Sequence, residues 1–489
     1  MKTHRYIACD LGAESGRVML GTLENDRLTV EEVHRFANDP LQAGDSIRWD
    51  LQQIFDELKT GVRKVFAASQ GIEGLSCDSW GVDYVLMGTK GEPVSPPFHY
   101  RDRRTDDEPA RAYAVVPQEK IFDETGIQFM SINTLYQFLA ETRRTPGLQA
   151  ADSFLNIGDY FNFLFSGVAK AEESLASTTQ IYNPRTKTWS SHLIERFGFP
   201  AGIFPPVVPS GTVLGPVQRS VGRETGAQGV SVIATCSHDT GAAVAAVPAA
   251  DQQWAYLSSG TWSLLGVELR EPNITQKSRT YGFTNEVGFG GTIRFLKNIS
   301  GLWIIQECRR AWAAEGNDLT YDRLMELAEE AEPMVSFINP LEPAFAKPGD
   351  MPAKIAEACQ RNGMPTPATV GATIRCVLES LALLYRQTLR QLEDCTGIPI
   401  RTLHIVGGGS RSRLLNQLTA DVTGVAVLAG PVECTAIGNI MIQAIALGHV
   451  PSISAARAIV ERSFPTERFE PKDSAAWEKV YTNIQLTTS

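Results

Sequence analysis

Two carboxylates in this chain stand where a buried strand is about to turn. Asp10 closes the apolar run Ile7-Ala8-Cys9 and leads at once into Gly12-Ala13-Glu14-Ser15-Gly16-Arg17. Alone it is often no more than a turn former. In this setting Gly12, Ser15 and Gly16 let backbone N–H groups approach a phosphate, Arg17 brings charge, and the carboxylate suits Mg²⁺, a hard cation that prefers oxygen ligands. Asp239 follows the apolar stretch 230–236 and precedes the small-residue stretch 242–247. A carboxylate there can take the proton of a substrate hydroxyl as general base, and it can equally cap the helix. The neighbouring Ser237-His238-Asp239 does not read as a hydrolytic triad, because consecutive side chains cannot converge as nucleophile, base and orienter.

A second turn, Ser258-Ser259-Gly260-Thr261, lies between β-rich runs just as the first does. Each turn offers backbone N–H groups and hydroxyls that could cradle a polyphosphate. Gly407-Gly408-Gly409 follows a short apolar run and leaves bare backbone for a flat base or ribose, or simply makes a tight turn. It fails the dinucleotide pattern GxGxxG because Ser412 holds the third glycine position, and no GxxxxGK[ST] loop is present. Trp80-Gly81-Val82-Asp83 combines an aromatic, an open backbone position and a carboxylate, as sugar sites do, although Trp80 can also be core.

The elements that must position these residues follow from periodicity. Segments 6–11, 17–24 and 27–36 alternate as three strands, with Glu24-Asn25-Asp26 as a turn. Residues 49–68 space Leu51, Ile54, Phe55, Leu58, Val62 and Val65 as an amphipathic helix, and 72–78 returns as a strand. Three antiparallel strands, a helix and a further strand are the opening order of a ribonuclease-H-like α/β unit. Residues 106–210 read as a mostly helical insertion with proline breaks, lining a cleft. Further on, 371–392 reads as a long helix, 403–406 and 424–427 as strands, and 437–450 as a buried helix too short to span a membrane. Twin hairpins predict two α/β domains of similar design, with a boundary near residues 248–251: 1–248 for sugar and base, 249–489 for nucleotide.

Bulk properties narrow the partners. The 489 residues exceed what one core accommodates, and a formal charge of −10 argues against nucleic acid. The charged start and Asp10 leave no room for a signal peptide, so the sequence predicts a cytoplasmic protein without membrane contact. Eight cysteines show neither CxxC nor metal spacing and read as reduced thiols; whether Cys359 and Cys376 are neighbours stays open, as does the oligomeric state.

Taken in order, Asp10 through Arg17, Ser258-Ser259-Gly260-Thr261-Trp262, Gly407-Gly408-Gly409 and Gly430-Pro431-Val432-Glu433-Cys434-Thr435-Ala436-Ile437-Gly438-Asn439 resemble the FGGY family of carbohydrate kinases over nearly the whole chain. The resemblance implies the two-domain actin/hexokinase/Hsp70-type ATPase fold flanking a catalytic cleft, with ATP and Mg²⁺ as cofactors and a ketose as substrate. Residues 78–86, 100–105, 125–129, 133–137 and 296–303 resemble the branch of the family that phosphorylates L-rhamnulose at O1. L-Fuculose, L-xylulose and D-xylulose are the rival acceptors, and a non-kinase ATP-binding scaffold of the same fold is the rival of another class. By position the resemblance implies Asp239 as base and Gly81, His238, Thr240 and Asn298 as substrate contacts beside Trp80 and Asp83. It also implies Ala13, Glu14, Ser15, Gly16, Arg17, Thr261, Gln306 and Gly408 on ATP, and Asp10 on Mg²⁺. Glu14 stands where many members carry Ser, so its side chain should point away from a triphosphate; Cys434 stands where Ala is commoner.

Overall fold

The computed structural model describes residues 2–145, 147–249 and 253–483, which group into two compact units. Met1–Pro248, Glu268–Phe295 and Cys434–Ser463 form the first; Ala249–Val267, Leu296–Glu433 and Phe464–Ser489 form the second. The chain thus leaves the first unit after Pro248 and re-enters it twice, so the units interleave along the sequence rather than dividing once.

The first unit is built on a six-stranded sheet in the order Thr212–Pro216, Ser231–Ala234, Ile72–Ser79, His4–Leu11, Ser15–Glu24, Arg27–Ala37. His4–Leu11 pairs antiparallel with Ser15–Glu24 and parallel with Ile72–Ser79, which is parallel in turn to Ser231–Ala234. This is the expected ribonuclease-H-like order, with an added antiparallel edge at Thr212–Pro216. The second and third strands meet at Asn25 and Asp26, both left-handed (φ +53° and +55°), the conformation that lets a two-residue hairpin follow the sheet twist. The helix Leu51–Ala68 starts where the Asp50 side chain accepts from Gln53 N at 3.0 Å, and buries Ile54, Leu58, Val62 and Val65. Gly61 is fixed by packing, because a Cβ there would lie 2.4 Å from Val18.

The stretch after Ile72–Ser79 leaves the main sheet. Val82 takes φ +66°, a conformation a β-branched residue rarely adopts, and breaks the run. Only Tyr84–Met87 is strand, and it pairs with Ser153–Asn156 outside the main sheet. Between residues 106 and 210 lie short helices and two-residue strands around an aromatic core of their own, in which Phe138 meets Phe154 edge-on at 5.1 Å and Phe199 at 5.5 Å. The helix Cys434–Ala446 is almost wholly buried and mostly apolar, with Asn439 and Gln443 one turn apart on one side, the mark of an element enclosed by others. It packs against Asp239–Ala245 so closely that a Cβ on Gly438 would stand 1.8 Å from the carbonyl oxygen of Ala242.

In the second unit Trp254–Ser259 pairs antiparallel with Trp262–Leu269 and parallel with Thr402–Val406, followed by parallel Ala426–Ala429 and the edge strand Glu467–Phe469. The connection pattern of the first unit therefore recurs. The 27-residue helix Val370–Thr396 is capped by the Thr369 hydroxyl, which accepts from Ala372 N at 3.1 Å, and ends at left-handed Gly397. Cys359 and Cys376 are neighbours and both are free thiols. Among the described residues no helix is long and apolar enough to cross a membrane.

Candidate functional site

In the first unit the turn after the first strand is held tightly. Gly12 N donates to Ser15 O at 3.0 Å, Asn38 Nδ2 donates to Gly12 O at 3.0 Å, and Asn38 N donates to Glu14 O at 3.1 Å. Ala13 is half-buried and Glu14 is exposed. Two expectations change here. Gly16 is glycine because the Phe36 ring covers it, a Cβ landing 2.2 Å from that ring, so packing rather than phosphate approach selects it. Arg17 stands across from Asp10 in the strand register, and its guanidinium pairs with the Asp10 carboxylate rather than reaching out from the turn.

Asp10 is also level with Asp78 on the adjacent parallel strand. Parallel neighbours in register present their side chains to the same face, so the two carboxylates lie side by side. Asp78 is fully buried; Asn439 Nδ2 donates to its Oδ2 at 2.6 Å, and its Oδ1 has no hydrogen-bond partner among the described residues. Burial, then the negative charges of Asp10 and Asp239, hold its pKa well above the usual carboxylate range. Asn439 is in turn fixed by Gln443, whose Nε2 donates to Asn439 Oδ1 at 2.8 Å and to Ile7 O at 2.9 Å.

Asp239 is the first residue of its helix, not the cap; His238 holds the cap position without a side-chain capping bond. Its side chain is 30% exposed, which leaves it reachable by a substrate hydroxyl. Thr240 N and Oγ1 both donate to Asp239 Oδ1, the hydroxyl at 3.1 Å, so Thr240 orients the carboxylate. His238 Nε2 lies 3.4 Å from the same oxygen. On the other side of the ring, Arg294 Nη2 donates to His238 Nδ1 at 3.0 Å and lies 3.1 Å from Glu286 Oε2. His238 Nδ1 also lies 3.3 Å from Glu286 Oε2, so that side of the ring meets the Arg294–Glu286 pair while Nε2 faces Asp239.

Asp83 moves from reader of substrate to post of the wall. It is fully buried, and its carboxylate accepts from Trp49 Nε1 (2.7 Å), Trp80 Nε1 (3.0 Å), Tyr100 N (3.1 Å) and Gln137 Nε2 (3.0 Å). At 0% exposure the carboxylate is enclosed by these wall residues. Burial outweighs these donors and raises its pKa to about 6. Trp80 is 6% exposed and packs on Trp49 at 4.3 Å, so it is mainly wall as well. Gly81 is half-buried, and a Cβ there would press on Thr178 at 3.1 Å; the Thr178 hydroxyl accepts from strained Val82 at 3.2 Å.

The second unit carries its own turn. Gly260 N donates to Trp262 O at 2.9 Å, and Leu302 N and Trp303 N donate to the carbonyls of Gly260 and Thr261. Gly301 admits this approach: a Cβ would lie 2.6 Å from the Trp262 carbonyl carbon. Gln306 Nε2 reaches Thr261 Oγ1 at 3.5 Å, while its buried Oε1 has no hydrogen-bond partner among the described residues. Gly407 is left-handed (φ +83°) and closes on Ser259, and nothing stands within 4 Å of the Cβ position of Gly408, so that backbone is bare. Asn298 lies half-buried on Ile293–Ser300. Thr261, Gln306 and Gly408 thus share the second unit, whereas Asp10, the first turn, His238, Asp239 and Thr240 share the first.

Asp78, Asn439, Glu286 and Arg294 were missed as site residues in the sequence. The signals were charged residues inside otherwise buried strands, and an i, i+4 pair of amides, Asn439 and Gln443, on an otherwise mostly apolar helix.

Comparison with known proteins gives a consistent picture. Residues 5–246 match the profile of the FGGY family of carbohydrate kinases, N-terminal domain, and residues 255–447 match the C-terminal domain of that family. A rhamnulokinase of Bacteroides thetaiotaomicron is 41% identical over 98% of both chains, and one of Bacillus subtilis is 38% identical over 96% of both. Among solved structures, a xylulose kinase from Lactobacillus acidophilus superposes with TM-score 0.82 at 16% identity, covering 98% of this chain and 96% of that one. Plasmodium falciparum glycerol kinase with ADP gives 0.80 at 14% identity, with the same coverage. At those identities the structural likeness speaks for the fold.

Proposed function

The chain belongs to the FGGY family of carbohydrate kinases, and on that premise we propose that it transfers the γ-phosphoryl group of ATP to O1 of L-rhamnulose. The observation that carries the reading is Asp239, a part-exposed carboxylate at a helix start, oriented by Thr240 and flanked by His238. The likeness of nearly the whole chain to rhamnulokinases supports the choice of ketose.

Phosphoryl transfer asks little covalent chemistry of a protein; positioning and charge stabilisation do most of the work. Asp239 takes the proton of the sugar hydroxyl as the oxygen attacks phosphorus. His238 Nε2 stands beside Asp239 and can hold a neighbouring sugar hydroxyl in line. Thr240 keeps Asp239 Oδ1 in place and leaves Oδ2 for the substrate. Within the second unit Thr261, Gln306 and the bare Gly408 backbone are the groups that would contact a nucleotide; within the first, the Ala13–Arg17 turn would offer backbone donors to a phosphate.

Asp10 and Asp78 would hold Mg²⁺. The fit rests on the buried, unpartnered Asp78 Oδ1 and on three carboxylates set against the single guanidinium of Arg17. Bound there, the ion neutralises triphosphate oxygens, usually keeping several waters in its shell. Arg17 is shared: a phosphate entering the turn competes with Asp10 for the same guanidinium.

The test is ADP release with Mg-ATP against L-rhamnulose, L-fuculose, L-xylulose, D-xylulose and glycerol, run beside Asp239→Asn. We expect the highest kcat/KM on L-rhamnulose, with the variant losing about 10²–10⁴ in kcat while still binding nucleotide. Preference for another ketose keeps the mechanism and discards the substrate. Sugar-independent ADP release would favour the scaffold reading, and equal loss of turnover and nucleotide binding in a folded variant would remove Asp239 as base.

A further inference from the structure

Apart from the Asp10–Asp78–Asp239 group, three distant segments of the first unit bring two imidazoles and a carboxylate to one point. His4 opens the first strand, Glu73 lies near the start of Ile72–Ser79, and His449 follows the Cys434–Ala446 helix just beyond left-handed Gly448. His4 Nδ1 lies 2.9 Å from Glu73 Oε1, and His449 Nε2 lies 3.0 Å from Glu73 Oε2. The two rings stack with centroids 3.7 Å apart and 25° between planes. One donor atom from each residue falls within 4.8 Å of the other two, and all three residues are half-buried.

The geometry points to a zinc-type divalent metal site on His4, Glu73 and His449. Two imidazoles and one carboxylate are an established zinc donor set, with metal–ligand distances of about 2.0–2.2 Å and a fourth position left to water. Donors already this close need shifts of about an ångström to surround one ion on that scale. Imidazole donors select zinc, nickel or cobalt over the magnesium of the kinase site, which prefers an all-oxygen shell.

The surroundings fit as well. For Nε2 of His449 to coordinate, its proton must sit on Nδ1, and the Tyr6 hydroxyl stands 2.6 Å from that atom, ready to accept it. Ligating histidines regularly give the other ring N–H to such an outer partner. Filled, the site would join the start of the first strand, the Asp78 strand and the segment that carries Asn439 and Gln443. That consequence concerns fold stability and does not depend on which sugar is phosphorylated.

The experiment uses the full-length, untagged protein, stripped with a chelator and dialysed against Zn²⁺, with bound metal and Tm measured together. We expect one zinc per chain that raises Tm. His4→Gln and His449→Gln should each weaken binding by more than about tenfold and abolish the Tm shift. Ketose-dependent ADP release should be unchanged in both, which reports that they fold. Cobalt in place of zinc should give visible ligand-field bands in the wild type, a readout that needs no variant. Absence of bound zinc and of those bands in the wild type overturns the proposal. So does zinc binding that persists undiminished in the His4→Gln/His449→Gln double variant.

Discussion

Asp83 shows how burial and hydrogen bonding compete at one carboxylate. Its four donors favour the ion, yet full burial prevails and sets the pKa at about 6 against an ordinary 3.8. A carboxyl whose pKa is higher folded than unfolded gives stability that is complete below the unfolded value and is lost as pH rises through the folded one. The window is therefore roughly pH 4 to 6, and the amount is about 3 kcal/mol for a shift of about two pK units. Asp83→Asn cannot titrate, and it turns an N–H₂ toward the indole donors of Trp49 and Trp80, so it destabilises at every pH. The expected signature is a larger loss of Tm relative to wild type near pH 4.5 than near pH 7.5, because only the wild type gains by protonation. Equal losses at both pH values would mean that Asp83 is ionised throughout and that its donors outweigh burial.

At the scale of elements, the contact between Cys434–Ala446 and Asp239–Ala245 sets where the base stands. Gly438→Ala would drive a methyl into the Ala242 carbonyl, and overpacking of this kind costs about 1–3 kcal/mol or more. Because the displaced helix carries Asp239 as its first residue, the expected result is a lower Tm together with a lower kcat, nucleotide binding being retained. A lower Tm with unchanged kcat would show that the helix contact supports the fold without positioning the base. The same pair of helices shows what was legible in the sequence. Both hairpin turns, the amphipathic helix 51–68, the opening succession of strands and helix, and Asp239 after an apolar strand could be read from local pattern, because period and turn chemistry are local properties. Register is not local. The pairing of Asp10 with Arg17 and of Asp10 with Asp78, the Phe36 ring over Gly16 and the four donors on Asp83 depend on which strands become neighbours. Val82 likewise takes a positive φ that nothing in its residue type announces.

At the scale of the molecule, the first unit is not a segment of the sequence but three pieces of it. Residues 1–248 contain every strand of the six-stranded sheet and all of its connections, and a family boundary near 246 suggests a natural cut. The interior argues otherwise. Without Cys434–Ser463, Asp78 loses Asn439, and the Ile440 side chain no longer fills the space over Gly21. The all-apolar face against Asp239–Ala245 would also be bared to water. Without Glu268–Phe295, His238 loses Arg294 and Glu286, and the Ser177 hydroxyl loses the Val287 N–H it accepts at 2.9 Å. Removing one partner of a buried polar group costs about 1–3 kcal/mol, more for a charge, and several such losses together rival the 5–15 kcal/mol that hold a typical domain. A fragment ending at Pro248 is therefore expected to show far-UV secondary structure but no cooperative thermal transition and no near-UV signal. A sharp transition in that fragment would mean that the later segments decorate an already stable domain. In that case Asn439 and Gln443 would serve the carboxylates alone rather than the fold that carries them.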